Sequence, residues 1–114
     1  MATRHTRTLK GMHMIRSVLS LRAAAGKAEA LESFYDQWQV LARARESAGC
    51  REALLLRSID DASVTHLVTA DWDTAEDYQR WVDDPWRSVV SQQLVAFLDE
   101  GDGEPVVGRL YEFA

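Results

Sequence analysis

Residues 14–22 (MIRSVLSLR) alternate, with Ile15, Leu19 and Leu21 on one face and Met14 and Val18 on the other, the pattern of a strand. Ala24, Ala25 and Gly26 follow as a turn. From Lys27 to Ala48 the period changes. Leu31, Phe34, Tyr35, Trp38, Leu41, Ala42 and Ala44 recur at helical spacing and predict one long amphipathic helix, with Gly49 as its stop. Residues 50–59 (CREALLLRSI) predict a second strand, with Ala53, Leu55, Arg57 and Ile59 on one face and Leu54, Leu56 and Ser58 on the other. Asp60 to Ser63 supply the turn-prone residues of a hairpin into a third strand, VTHLVTADW, at 64–72. On that strand His66, Val68, Ala70 and Trp72 share one face, so if Trp72 faces the helices His66 does too.

Thr74 is placed to cap the next helix, TAEDYQRWV, which carries Tyr78, Trp81 and Val82 at helical spacing and stops before Pro85. A further helix from Trp86 to about Leu98 presents Val89, Val90, Leu94, Phe97 and Leu98. GDGE reads as a loop and PVVGRLYEF as a last strand, with Val107, Arg109, Tyr111 and Phe113 on one side. The order β, α, β, β, α, α, β is that of an α+β, ferredoxin-like split βαβ fold, an antiparallel sheet with helices on one face. It occupies residues 14–114 as a single domain, and residues 1–13 are expected to be a flexible basic arm.

Composition narrows the class. At 114 residues, 46% hydrophobic and 27% charged, the chain is that of an ordinary soluble domain, without a membrane-length apolar run or a secretory leader, and a cytoplasmic location is expected. The lone Cys50 excludes an intrachain disulfide. The net charge of -5 hides an asymmetry: residues 1–28 carry six Lys/Arg and no acid, whereas residues 29–114 carry seven against 18 acids, a balance of -11. Neither a nucleic acid nor a membrane is an expected partner of so acidic a body.

Familiar catalytic spacings are missing. There is no phosphate-cradling glycine loop, GxSxG elbow or HExxH, and His5, His13 and His66 are too scattered to hold a metal. Aromatic side chains stand out instead. Phe34, Tyr35 and Trp38 on the first helix, Trp72 at a strand end, and Tyr78, Trp81 and Trp86 beyond it could line a cleft between sheet and helices that takes a flat aromatic ligand. Each also suits plain core packing. His66 could act as an acid or base, and Arg57, Arg87 or Arg109 could stabilise a phenolate or enolate.

From Met14 to Phe113, and most specifically over VTHLVTADWDTAEDYQRWVDDPW, the sequence resembles the antibiotic biosynthesis monooxygenase family of dimeric ferredoxin-like α/β barrels. The resemblance implies a homodimer and, as the leading function, a monooxygenase that uses molecular oxygen on a polycyclic phenolic, aromatic-polyketide-type metabolite without metal or flavin. Catalytic roles fall on Trp72, Tyr78 and His66, and substrate contacts on Phe34, Tyr35, Trp38, Arg57, Val68, Trp81 and Trp86. The pattern departs at Val68, where the cofactor-free oxygenases carry an amide. That departure supports an alternative, a non-oxidative polyketide cyclase or ligand-binding accessory protein of the same fold. Heme-degrading relatives bind heme through a histidine in a segment that reads WVDDPWRSVVSQQL here, without one.

Overall fold

A computed structural model of the chain describes residues 14–99, 106 and 108–114. Its elements are β1 (Ile15–Leu21), α1 (Ala28–Gln37), α2 (Val40–Arg45), β2 (Cys50–Arg57), β3 (His66–Trp72), α3 (Ala75–Val82), α4 (Pro85–Leu94) with a 3-10 turn at Val95–Phe97, and β4 (Gly108–Glu112). The strands form one antiparallel sheet in the order β2-β3-β1-β4, the ferredoxin-like arrangement expected from the element order. The expected arm at 1–13 and the GDGE loop lie outside the described residues.

Register separates the two faces of the sheet. Ile15 pairs with Trp72 and Leu21 with His66, so the parity read from β3 holds and both Trp72 and His66 point toward the helices, each fully buried. With Leu21 and Leu31, Trp72 and His66 are the largest side chains wholly removed from solvent. No helix of the described residues covers the opposite face. Leu54, Leu56 and Tyr111 are 40%, 44% and 54% exposed there, beside Val18 and Leu67.

One expectation is corrected. The single helix predicted over 27–48 is two, broken where Gln39 adopts a left-handed backbone (φ 51, ψ 43). The break resets the helical phase. Beyond it Val40 and Ala44, one turn apart, face the core in place of the Leu41 and Ala42 of the predicted stripe, while Trp38, just before it, is 36% exposed and tilted against Phe34 at 5.4 Å. The last helix also ends at Leu94 rather than near Leu98, because the 3-10 turn leads into a bridge between Ala23 and Leu98.

The capping prediction holds in detail. Thr74 accepts a hydrogen bond from the Asp77 backbone N–H at 3.1 Å, a contact of about 1 kcal/mol. Asp84 does the same for α4 by accepting from the Trp86 N–H at 2.9 Å, just ahead of Pro85 in the first turn.

Candidate functional site

Small side chains on the sheet make room beneath the helices. Ala53 and Ala70 lie side by side on β2 and β3, and with Leu19 and Val68 they floor a cavity of about 60 Å³. Helices α1 to α4 wall it with Tyr35, Val40, Trp81, Val90 and Leu94, among others. Five polar side chains reach this apolar space: Ser17, Tyr35, Tyr78, Arg87 and Ser91.

Arg87 sets the electrostatics. Six arginines of the described residues are ion-paired with acids, whereas Arg43, Arg87 and Arg109 have no ion pair among the described residues, and of these three Arg87 is the one that lines the cavity. Arg87 therefore brings to the cavity wall a positive charge with no acid beside it among the described residues, an arrangement that favours a bound anion. Tyr35 faces it. Burial pushes the Tyr35 phenol up to about 12, against the opposing pull of Arg87, and its hydroxyl has no hydrogen-bond partner among the described residues. Two buried or half-buried donors without partners, in one cavity, are unusual for a folded interior.

Trp72 stands behind this wall without lining it. Its indole N–H donates to the Ser17 hydroxyl at 3.0 Å, and its ring meets Tyr78 edge-on with centroids 5.8 Å apart, so Trp72 orients two of the polar groups that line the cavity. Tyr78 in turn lies over β4: a Cβ at position 108 would collide with its hydroxyl, which is why Gly108 stands there.

His66 belongs to a different place. Its Nε2 lies 2.8 Å from Glu32 Oε2 and its Nδ1 2.8 Å from the Thr65 hydroxyl, while Arg57 Nε donates to the same Glu32 oxygen at 2.5 Å. Thr65 accepts from the Ala23 N–H at 2.8 Å, so one arrangement satisfies every group, with Thr65 donating to Nδ1 and the Nε2–H donating to Glu32. The Arg57 guanidinium, and then His66, hold the Glu32 carboxyl below the usual carboxylate range.

Of the residues singled out from sequence, the structure brings Tyr35, Val68, Tyr78 and Trp81 to the cavity lining. Trp72 backs it, and His66 and Arg57 form the separate polar cluster. Phe34 and Trp38 pack with Phe97 along the outer side of α1, and Trp86 lies beneath Arg43, whose guanidinium is 4.5 Å from the ring centre. Sequence reasoning named Arg87 only as one of three candidate cations and passed over Ser17, Leu41 and Ser91. Ser17 was findable, being the only polar residue on the Ile15, Leu19, Leu21 face of its strand. Arg87 and Ser91 sit one turn apart on α4, but nothing local says which way that turn points.

The profile of the family described as antibiotic biosynthesis monooxygenase matches residues 14–86, the span that holds β1 through the cap of α4. The chain belongs to the antibiotic biosynthesis monooxygenase family. Solved structures agree on the fold. A conserved protein from Methanosarcina mazei superposes with a TM-score of 0.72 at 12% identity over 91% of this chain and 96% of the other. A candidate antibiotic biosynthesis monooxygenase from Caulobacter crescentus gives 0.70 at 16% identity over 96% and 98%, and one from Nitrosomonas europaea 0.68 at 16% over 90% and 91%. No curated protein matches the sequence. Membership in this monooxygenase family fits a cavity that pairs aromatic walls with an unpaired cation. Among the described residues no helix is long and apolar enough to cross a membrane, and no group of three or more His, Cys, Asp or Glu side chains forms a metal-binding cluster.

Proposed function

We propose that this chain is a cofactor-independent monooxygenase that oxidises a polycyclic phenolic metabolite with molecular oxygen. The observation that carries the reading is Arg87, which lines an aromatic-walled cavity and has no ion-pair partner among the described residues. An anthrone-type substrate is a weak carbon acid; bound as its enolate against Arg87 it becomes electron-rich at the ring carbon that reacts with oxygen. Dioxygen then takes up the electrons, one oxygen atom becoming the new carbonyl and the other leaving as water. Among the described residues no carboxylate or imidazole lines the cavity, so their part is to favour the anion rather than to supply a strong base. Tyr35 and Tyr78 add neutral hydroxyl donors beside it.

A homodimer completes the picture. The helix-free face of the sheet presents Val18, Leu54, Leu56, Leu67 and Tyr111, an apolar surface that two copies bury by packing face to face. Charge introduced there by Leu54→Asp should shift the sedimenting mass from dimer to monomer. An unchanged mass would overturn the face-to-face arrangement.

Val68 supports the second reading. It stands on the cavity floor where an amide could have donated to reduced oxygen, and a cyclase or carrier of aromatic polyketides has no need of that donor. Oxygen uptake with anthrone separates the two. The oxygenase reading expects uptake well above buffer, abolished by Arg87→Met. Substrate turnover that persists without oxygen would establish the cyclase instead, and binding without turnover a carrier.

A further inference from the structure

A cavity of about 60 Å³ is smaller than the roughly 150 Å³ of an engineered void that takes up one benzene ring, and far below the roughly 300–1,000 Å³ of ordinary ligand sites. A second hollow lies next to it. This outer groove, about 280 Å³, runs between the end of α1, the start of α2 and Leu55 of β2, and its rim carries Glu32, Asp36 and Arg45. Two residues line both hollows: Tyr35, in the last turn of α1, and Leu41, in the first turn of α2. Between them in the chain stands Gln39 with its left-handed backbone.

We propose that Tyr35 and Leu41 form a gate between the outer groove and the inner cavity, and that when it opens the two become one slot for a flat ligand of two or three fused rings, its anionic end at Arg87. The inference rests on the ligand-binding reading above and adds where the ligand enters and what limits its size. Joined, the hollows reach the lower end of the ligand-site range. Polarity sets the orientation, because Arg87 lines the inner chamber only, while the outer rim holds two acids and Arg45.

The gate is built to move at small cost. The Tyr35 hydroxyl has no partner among the described residues, so turning the ring forfeits no hydrogen bond. Helix α2 spans only six residues, too short to hold itself together without tertiary contacts. It is anchored at one end. Arg45 donates to the Ala53 carbonyl at 2.6 Å, whereas the N-terminal end beside Leu41 has no side-chain cap. A swing of α2 about Gln39 relieves the left-handed backbone there and breaks the bond that the Gln39 side-chain amide donates to the Asp36 carbonyl at 2.7 Å.

The test measures equilibrium dialysis of phenol, 1-naphthol and anthrone, under nitrogen, against wild type, Leu41→Ala, Leu41→Trp and Arg87→Met, with folding checked by circular dichroism and Leu41→Met as the conservative control. The ratio of anthrone to phenol affinity should rise about tenfold in Leu41→Ala, fall about tenfold in Leu41→Trp, and stay at the wild-type value in Leu41→Met. A ratio unmoved by either Leu41 change, while Arg87→Met weakens all three ligands, overturns the gate and leaves the cavity reading standing. Failure of every chain to bind any of the three overturns both.

Discussion

Two polar clusters lie under the same helices, and they have opposite economies of hydrogen bonding. Around His66 each group has a partner: imidazole, carboxylate, guanidinium and hydroxyl close on one another within 2.5–2.8 Å. Around Arg87, cation and phenol face a cavity and neither has a partner among the described residues. A buried polar group without a partner costs free energy, so a fold keeps it only where something else supplies the missing contact. By that criterion the first cluster holds the sheet end together and the second fits the ligand site proposed above. Sequence inspection favoured the reverse emphasis, since a lone histidine on an apolar strand face attracts more notice than one arginine among 13 Lys and Arg.

The largest expected effect follows from breaking the satisfied cluster. His66→Ala takes one hydrogen-bond partner each from Glu32 and Thr65 and leaves a void at a site fully closed to solvent, and should cost about 2–4 kcal/mol, a drop in Tm of roughly 10 °C or more in thermal unfolding. The opposite cluster should respond oppositely. Arg87→Met should leave Tm unchanged or raise it, because it removes an unpaired charge from an apolar wall, while anthrone affinity falls on the order of 10- to 100-fold by dialysis. If Arg87→Met instead destabilises the fold as much as His66→Ala, the distinction between the clusters is lost.

A finer contrast comes from pH. The Tyr35 phenol titrates near 12 in the folded chain against about 10 unfolded, so the folded state resists its ionisation. Its contribution to stability is fully present below pH 10 and is lost as pH rises from about 10 to 12, a drop of about 1–3 kcal/mol that Tyr35→Phe should remove in denaturant titrations across that range. Glu32 gives the smallest effect and the opposite sign. Its carboxyl is held low by Arg57 and then His66, so its contribution is present above its unfolded value of about 4.3 and is lost as pH falls through the lower folded value. Glu32→Gln should flatten that acid limb by less than about 1 kcal/mol, because the side chain is 34% exposed and water screens it.

How far local pattern reaches is clearest at the first helical segment. The apolar stripe from Leu31 to Ala44 correctly announced a helix packed on the sheet, yet it could not announce the break at Gln39. Gln39 carries no local signal for a left-handed backbone, such as glycine or asparagine would give. The break exists because Val40 and Ala44 find better burial against β2 than Trp38 would, a choice made by partners distant in sequence. That same break creates the outer groove and brings Leu41 to the cavity.

What the chain determined by itself is therefore the set of elements, their order and the parity of each strand. Periodicity of two or 3.6 is a local property, and Thr74, Asp84 and Gly49 punctuate it with side-chain and backbone chemistry that acts within a few residues. From this follow the ferredoxin-like sheet and the shared face of His66 and Trp72. What tertiary structure alone decided is partnership. Whether a polar side chain is satisfied depends on groups brought from other elements: Glu32 from α1 met His66 at 2.8 Å, and no acid among the described residues met Arg87. Position in the sequence gave both residues the chance of a chemical role, and packing left only one of them with a bond still to make.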